Sequence, residues 1–360
     1  MNASNTNTLQ TGGGVVTGLL NKPPASDRLG SLDQLASAID HSVELAGVAF
    51  ELELPEALDE AHRSLYALYS DRIWRAPTEL RPLEVRQTIS TVRQNLEFGF
   101  LGYLERRRSS IDLTPPAEAD ALGGWLESLV FGEHPAESGR WGAFVRDSIS
   151  HDQLCEIVAQ RSLFFLREPD PWIYAVPTLT GGAKAGLIDL LLDEYGWGKL
   201  DHMHSSVYAR LMQALGLESG IDHFEPVASW QYLATLNHQW MLSLMPEYSR
   251  RLLGTIYLTE ADSPVAMTNY LAAWERLGVS DPAVREFYEI HVHADENHRD
   301  VALSEVAVPV SETEPAAAAQ VAIGISDGRT VEAEFVEHLL ERFSAGESSL
   351  RSSTSVEAAE

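Results

Sequence analysis

Apolar residues recur at three- and four-residue intervals through almost every segment from Pro82 onward, and the alternation typical of half-buried strands is scarce. The stretch from Pro82 to about Arg108 keeps this period and ends on three arginines, which suit a helix C-terminus. Pro115 and Pro116 mark a loop. Beyond it, "WGAFVRDSISHDQLCEIVAQRSLFFLREPDPW" reads as helix until Pro169 and Pro171, and "TGGAKAGLIDLLLDEYG" as a strongly apolar helix. "LDHMHSSVYARLMQALGL" stops at Gly216 with a helix-end signature. Further helices run through "VASWQYLATLNHQWMLSLM", "PEYSRRLLGTIYLTEAD" and "SPVAMTNYLAAWERLG". The helix after them opens with Asp281 as N-cap and Pro282 at its first position. The pattern predicts an all-α bundle of long helices.

Composition shifts suggest the divisions. Residues 1–29 read as a flexible leader, 30–145 as a helical extension and 146–308 as the core. A Pro- and Ala-rich linker is expected over 309–322, a C-terminal helix over 323–345, and a disordered Ser- and Glu-rich tail over 346–360. No run of eighteen apolar residues predicts a membrane span, and the N-terminus lacks the basic-then-apolar order of a secretory signal. Cys155 is the single cysteine, which excludes an internal disulfide framework and cysteine-ligated zinc or iron–sulfur sites, so a cytoplasmic location is the default. A net charge of −27 argues against nucleic acid and against docking on anionic membranes. The expected partner is a small molecule. The extension would add helices to the core or form a homodimer interface.

Polar groups that break the apolar stripes carry the functional argument. In "EFYEIHVHADENHRDVAL", three of the twelve histidines fall within eight residues. On a helix, Asp295 lies about 40° and His298 about −20° from His291, so the three share one face, while His293 points away. Imidazole with carboxylate suits zinc, manganese or non-haem iron, although a solvated helix face would also fit. Glu194 has Leu187, Leu190 and Leu191 one and two turns before it, and Leu253, Ile256 and Tyr257 bear the same relation to Glu260. Both carboxylates therefore turn to the buried side, where a proton, a cation or a metal must neutralise them. His204 would sit about 80° from Glu194 on an unbroken helix, but Gly196 and Gly198 favour a break that re-aims it. Spacing does not choose between His204 and His202.

These residues resemble the haem-oxygenase-like diiron oxidases and oxygenases, an iron-containing redox enzyme family. The resemblance covers roughly residues 150 to 308 and rests on "QRSLFFLREPDPW", on "GGAKAGLIDLLLDEYGWGKLDHMHSSVYARLMQALGL", on the Glu260 helix and on "HVHADENHRDVAL". It implies a haem-oxygenase-like bundle with additional N-terminal helices and a ligand set of Glu194, His204, Glu260, His291, Asp295 and His298, which settles His204 over His202. Glu168, beside Pro169, suits a helix-end contact equally well and stays outside that set. Two Fe(2+) per chain, O2 as co-substrate and an external electron donor follow from the resemblance. So does N-oxygenation or oxidative C–C cleavage of an amine or amino acid in a biosynthetic pathway. Trp230, Tyr232, Trp240 and Tyr257 are expected to line the substrate pocket. Two rival readings fit the same chain: a metal-free enzyme of this fold (thiaminase-like or a cofactorless oxidase), and a non-catalytic acidic interaction module. Haem oxygenase itself is a poorer match, since His151, Arg161 and Arg167 offer little for a haem.

Overall fold

Every regular element among the described residues is a helix, as the 3.6-residue period requires, and no strand forms. The computed structural model describes residues 28–77, 80–132 and 139–351, with Val16, Leu19 and Leu20 before them. The chain divides into two compact units, residues 1–109 with 352–360, and residues 110–351.

In the first unit, α1 (Arg28–Ala46) runs into a π-helical turn, Gly47–Glu51, followed by α2 (Pro55–Ile73) and α3 (Leu83–Arg108). Gly99 on α3 lets that turn approach closely, since a Cβ there would lie 2.7 Å from the Phe50 ring. Phe50 stacks on Phe100 and His62 meets Phe100 edge-on, their centroids 5.5 and 4.8 Å apart. Burial pushes the His62 imidazole down to about 3, so it sits in this core as a neutral ring. Val16 and Leu19 are buried, and the Leu20 carbonyl accepts from Arg81. That part of the expected flexible leader is therefore packed. The rest of residues 1–27 lies outside the described residues.

The second unit holds α4 (Leu122–Phe131), α5 (Arg140–Asp147), α6 (His151–Phe165), α7 (Gly181–Glu194), α8 (His204–Ala214) and α9 (Trp230–Leu244). Then come α10 (Ser249–Arg276), α11 (Pro282–Asp300), a π-helical segment (Val301–Ala307), α12 (Val308–Thr313) and α13 (Pro315–Ser344). Asp281 caps α11 as expected, accepting from the Ala283 amide. The central helix is α10, which packs along both α11 and α13. Its crossing with α13 brings backbone against backbone. A Cβ at Gly254 would collide with the Val321 carbonyl, and one at Gly324 with the Arg251 carbonyl.

Several expected boundaries move. The extension does not reach 145: α4 and α5 pack on α13 and α10, because Leu122, Leu126, Val130 and Val145 find their buried surface there. Ser148–Ser150 interrupts the helix expected before Pro169, and Ser150 starts α6 through a capping box with Gln153. The two helices expected on either side of Pro264 are one, α10. Pro264 removes only the bond to the Glu260 carbonyl, and packing on both flanks holds the helix together. The segment read as a linker, 309–322, is helical. Pro315 occupies the first position of α13, where a missing N–H is harmless, and the four alanines after it are the strongest helix formers. Residues 346–351 of the expected disordered tail are ordered, the Ser349 amide and hydroxyl both donating to Glu156. Residues 352–360 lie outside the described residues. Among the described residues, no helix is long and apolar enough to cross a membrane.

The glycine crossing generates a test. Gly324→Ala should destabilise the protein by about 2 kcal/mol or more, since neither backbone can retreat from the added methyl. The denaturation midpoint in urea measures this.

Candidate metal centre

Glu194 closes α7 with Leu187, Leu190 and Leu191 buried on the same stripe. The next residues, Gly196, Trp197 and Gly198, all take positive φ, at 58°, 53° and 74°. Left-handed backbone cannot continue the helix, and Trp197 adopts it without the freedom of a glycine. A Cβ at Gly196 would lie 2.5 Å from the backbone of His202 and Met203, so this glycine lets the chain fold back on itself. The helix restarts at His204. The break therefore removes the 80° mismatch and sets His204 Nδ1 2.6 Å from Glu194 Oε2. His202 is exposed.

Glu260 is carried by α10, while His291 and His298 lie two turns apart on α11, and all three are buried. Two groups of donor atoms result, each lying within 4.8 Å of one another: Glu168, Glu194, His204 and His291, and Glu194, Glu260 and His298. Glu194 belongs to both. Its Oε2 faces His204, while its Oε1 lies 3.2 Å from His298 Nδ1. On the outer sides, Glu168 Oε2 is 3.7 Å from His291 Nε2 and Glu260 Oε2 is 3.4 Å from His298 Nδ1. Five of the six predicted residues thus meet. The side chain of the sixth, Asp295, lies outside the described residues.

Glu168 is the residue the sequence reading set aside. The stripe test that found Glu194 would also have found it, for Phe164 and Phe165 stand one turn before it and are buried. Its nearness to Pro169 drew attention to a helix end instead.

The far side of each α11 imidazole is also fixed. His291 Nδ1 donates to the Phe287 carbonyl at 2.7 Å, which leaves Nε2 facing the cluster. His298 Nε2 lies 2.9 Å from Asp193 Oδ2, and Asp193 in turn accepts from the Trp197 indole at 3.0 Å. A carboxylate behind a ligating imidazole sets its tautomer and aim.

Three buried carboxylates among three imidazoles form a nitrogen–oxygen donor set suited to iron, manganese or zinc. Among the described residues, the ion-pair neighbours of Glu194 and Glu260 are histidines, with no Lys or Arg. Burial would raise the Glu194 carboxyl, but His204 and His298 beside it hold it below the usual carboxylate range. Glu260 is pushed up to about 7 by burial and by Glu194. Burial would lower His298, yet its hydrogen bonds to Glu194 and Glu260 carry it up to about 12. Protons thus occupy places that a cation could take. The donor set fits a metal centre, and Glu194 is common to both groups.

A cavity of about 340 Å³ adjoins this cluster, with Glu168 in its wall. Of the four aromatics expected to line a pocket, Tyr232 does so, whereas Trp230, Trp240 and Tyr257 do not. Helical spacing shows that a ring is buried, not which cavity it faces.

Residues 155–333 match the profile of a family described as iron-containing redox enzymes. The chain is also similar to nitrosourea synthase from Streptomyces achromogenes subsp. streptozoticus. The two are 25% identical over 230 residues, covering 61% of this chain and 46% of that enzyme. The chain spans about half the length of this relative.

Two outcomes follow from the geometry. Replacing Asp193 with alanine should weaken metal binding on the His298 side by roughly 10- to 100-fold, read by chelator competition, with the other side little changed. Metal must also displace the proton of His298 and that of Glu260 below about pH 7. Binding releases protons, so affinity should rise with pH, by about tenfold or more per unit between pH 6 and 7. Anaerobic titrations across that range check the slope.

Proposed function

From a chain that belongs, through residues 155–333, to the haem-oxygenase-like family of iron-containing redox enzymes, we infer a non-haem diiron oxygenase acting on a small amine or amino acid. The observation that carries this reading is Glu194, which offers one carboxylate oxygen to each of two buried donor groups. Glu168, His204 and His291 would complete one side, and Glu260 and His298 the other, while the family resemblance adds Asp295 as a further ligand. Two iron ions so held would supply reductive activation of O2 and oxidation of the substrate.

The chain's own groups set the conditions for that chemistry. Phe165 and Phe287 pack against the His291 ring, at centroid separations of 6.1 and 4.3 Å, and keep water from that side. The Phe287 carbonyl and Asp193 hold the two α11 imidazoles in fixed tautomers. Glu260, with its carboxyl pushed up to about 7, gives up its proton when a metal ion takes its place. The cavity beside Glu168 is of small-ligand size.

Between N-oxygenation and oxidative C–C cleavage, the relative's name favours the first, because a nitrosourea carries oxidised nitrogen. In that reaction one atom of O2 enters an N–H bond and the other leaves as water. Two electrons and two protons are consumed, which requires an external electron donor.

The test is anaerobic loading with Fe(II), metal analysis, and exposure to O2 in a stopped-flow spectrometer. About two irons per chain and a transient visible band are expected. Glu194→Ala should lose both while keeping its helical circular dichroism. Protein without iron above background after reconstitution would overturn the reading in favour of a metal-free enzyme or a non-catalytic module.

A further inference from the structure

The cavity beside Glu168 has walls dominated by aromatic and aliphatic side chains. Four further charged groups reach it: Arg161, Asp262, Arg329 and Glu332. Three of them are already engaged. Arg161 pairs with Glu332, and its guanidinium lies over the rings of Tyr232 and Phe335 at 5.7 and 5.4 Å. Arg329 donates to the backbone carbonyls of Leu129 and Val130.

Asp262 differs. Its carboxylate makes no hydrogen bond or ion pair among the described residues. Protein atoms crowd round it, yet it keeps an accessible surface, and it lines the cavity. A carboxylate without a protein partner on a cavity wall can accept from a bound ligand, and a cation supplies the strongest donors.

Its place on α10 defines its direction from the centre. Glu260 and Asp262 leave the helix about 200° apart, so Asp262 cannot take part in metal binding with its neighbour. It shares a stripe with Thr255, Thr259, Ser263 and Tyr270, all on the cavity wall. Glu168 stands on that wall too and belongs to the cluster. Glu168 of the cluster and the unengaged Asp262 therefore line one hollow.

We propose that Asp262 is a specificity-determining residue that anchors the cationic group, an ammonium or guanidinium, of a substrate whose apolar body fills the cavity. This rests on the reading of the cavity as the substrate site of a diiron enzyme. The substrate carries its charge at the end held by Asp262, and the rest of it occupies the cavity that Glu168 also lines.

The test titrates the full chain with hexylguanidinium, with its neutral counterpart hexylurea, and with hexanoate, following intrinsic tryptophan fluorescence. Wild-type protein should prefer hexylguanidinium to hexylurea by about tenfold or more, one charge-assisted contact. Asp262→Asn, which preserves shape, should cut that preference to about threefold or less, with thermal midpoint and iron content unchanged. Asp189→Gln, an exposed carboxylate elsewhere on α7, should keep the full preference and so exclude an effect of overall acidity. Equal binding of hexylurea, tighter binding of hexanoate, no saturable binding, or a preference that survives Asp262→Asn would each overturn the proposal. Iron content of the same samples separates the two claims. Cation preference without iron would sink the diiron reading and keep the anchor, whereas iron without cation preference would do the reverse.

Discussion

Glu194 is the constraint on which the rest depends. A carboxylate with 2% of its surface exposed, deep in an apolar bundle, is strongly unfavourable unless positive charge lies on both of its oxygens. The protein sets imidazoles on both sides and adds two more buried carboxylates, Glu168 and Glu260, which makes the electrostatic demand larger. A chain selected for stability alone would have put leucine there. Retaining three buried acids among three histidines makes sense when divalent cations complete the balance.

Much of the fold serves the precision of that cluster. Gly254 and Gly324 let α10 lie backbone-close to α13, which fixes the height of Glu260. Gly196 does the same work at shorter range, letting the chain turn tightly enough for His204 to face the carboxylate ten residues before it. The Trp197 indole, carried on left-handed backbone, reaches Asp193 and so steadies His298 from behind. After α11 the helix widens into the π-helical segment Val301–Ala307, which packs on α7. Such segments interrupt α-helical register and often lie near functional sites. Pro264, one turn beyond Glu260, frees the Glu260 carbonyl from its usual helical donor.

The sequence made the centre more legible than its surroundings. His291, His298, Glu194 and Glu260 could be found because each is a polar interruption of an apolar stripe, and stripes depend only on helical period. The glycines at 196 and 198 announced a break, though where His204 would land depends on three successive positive-φ residues. Glu168 stays open in the sequence because the proline beside it makes a helix-end contact equally good. Helix ends were less legible than helix faces. Pro264 and Pro315 look alike in sequence, but one is carried inside a helix by packing on both flanks and the other begins one. The cavity lining was least legible, since it depends on the rotation of whole helices. Tyr232 reaches the hollow and Trp240, two turns along the same helix, does not.

Crystals grown anaerobically with Fe(II) and measured at the iron edge address the central claim most directly. The account predicts two anomalous peaks per chain with Glu194 between them. Glu168, His204 and His291 should surround one, and Glu260 and His298 the other. A single peak, or two peaks that leave Glu194 bound to one of them alone, would contradict it.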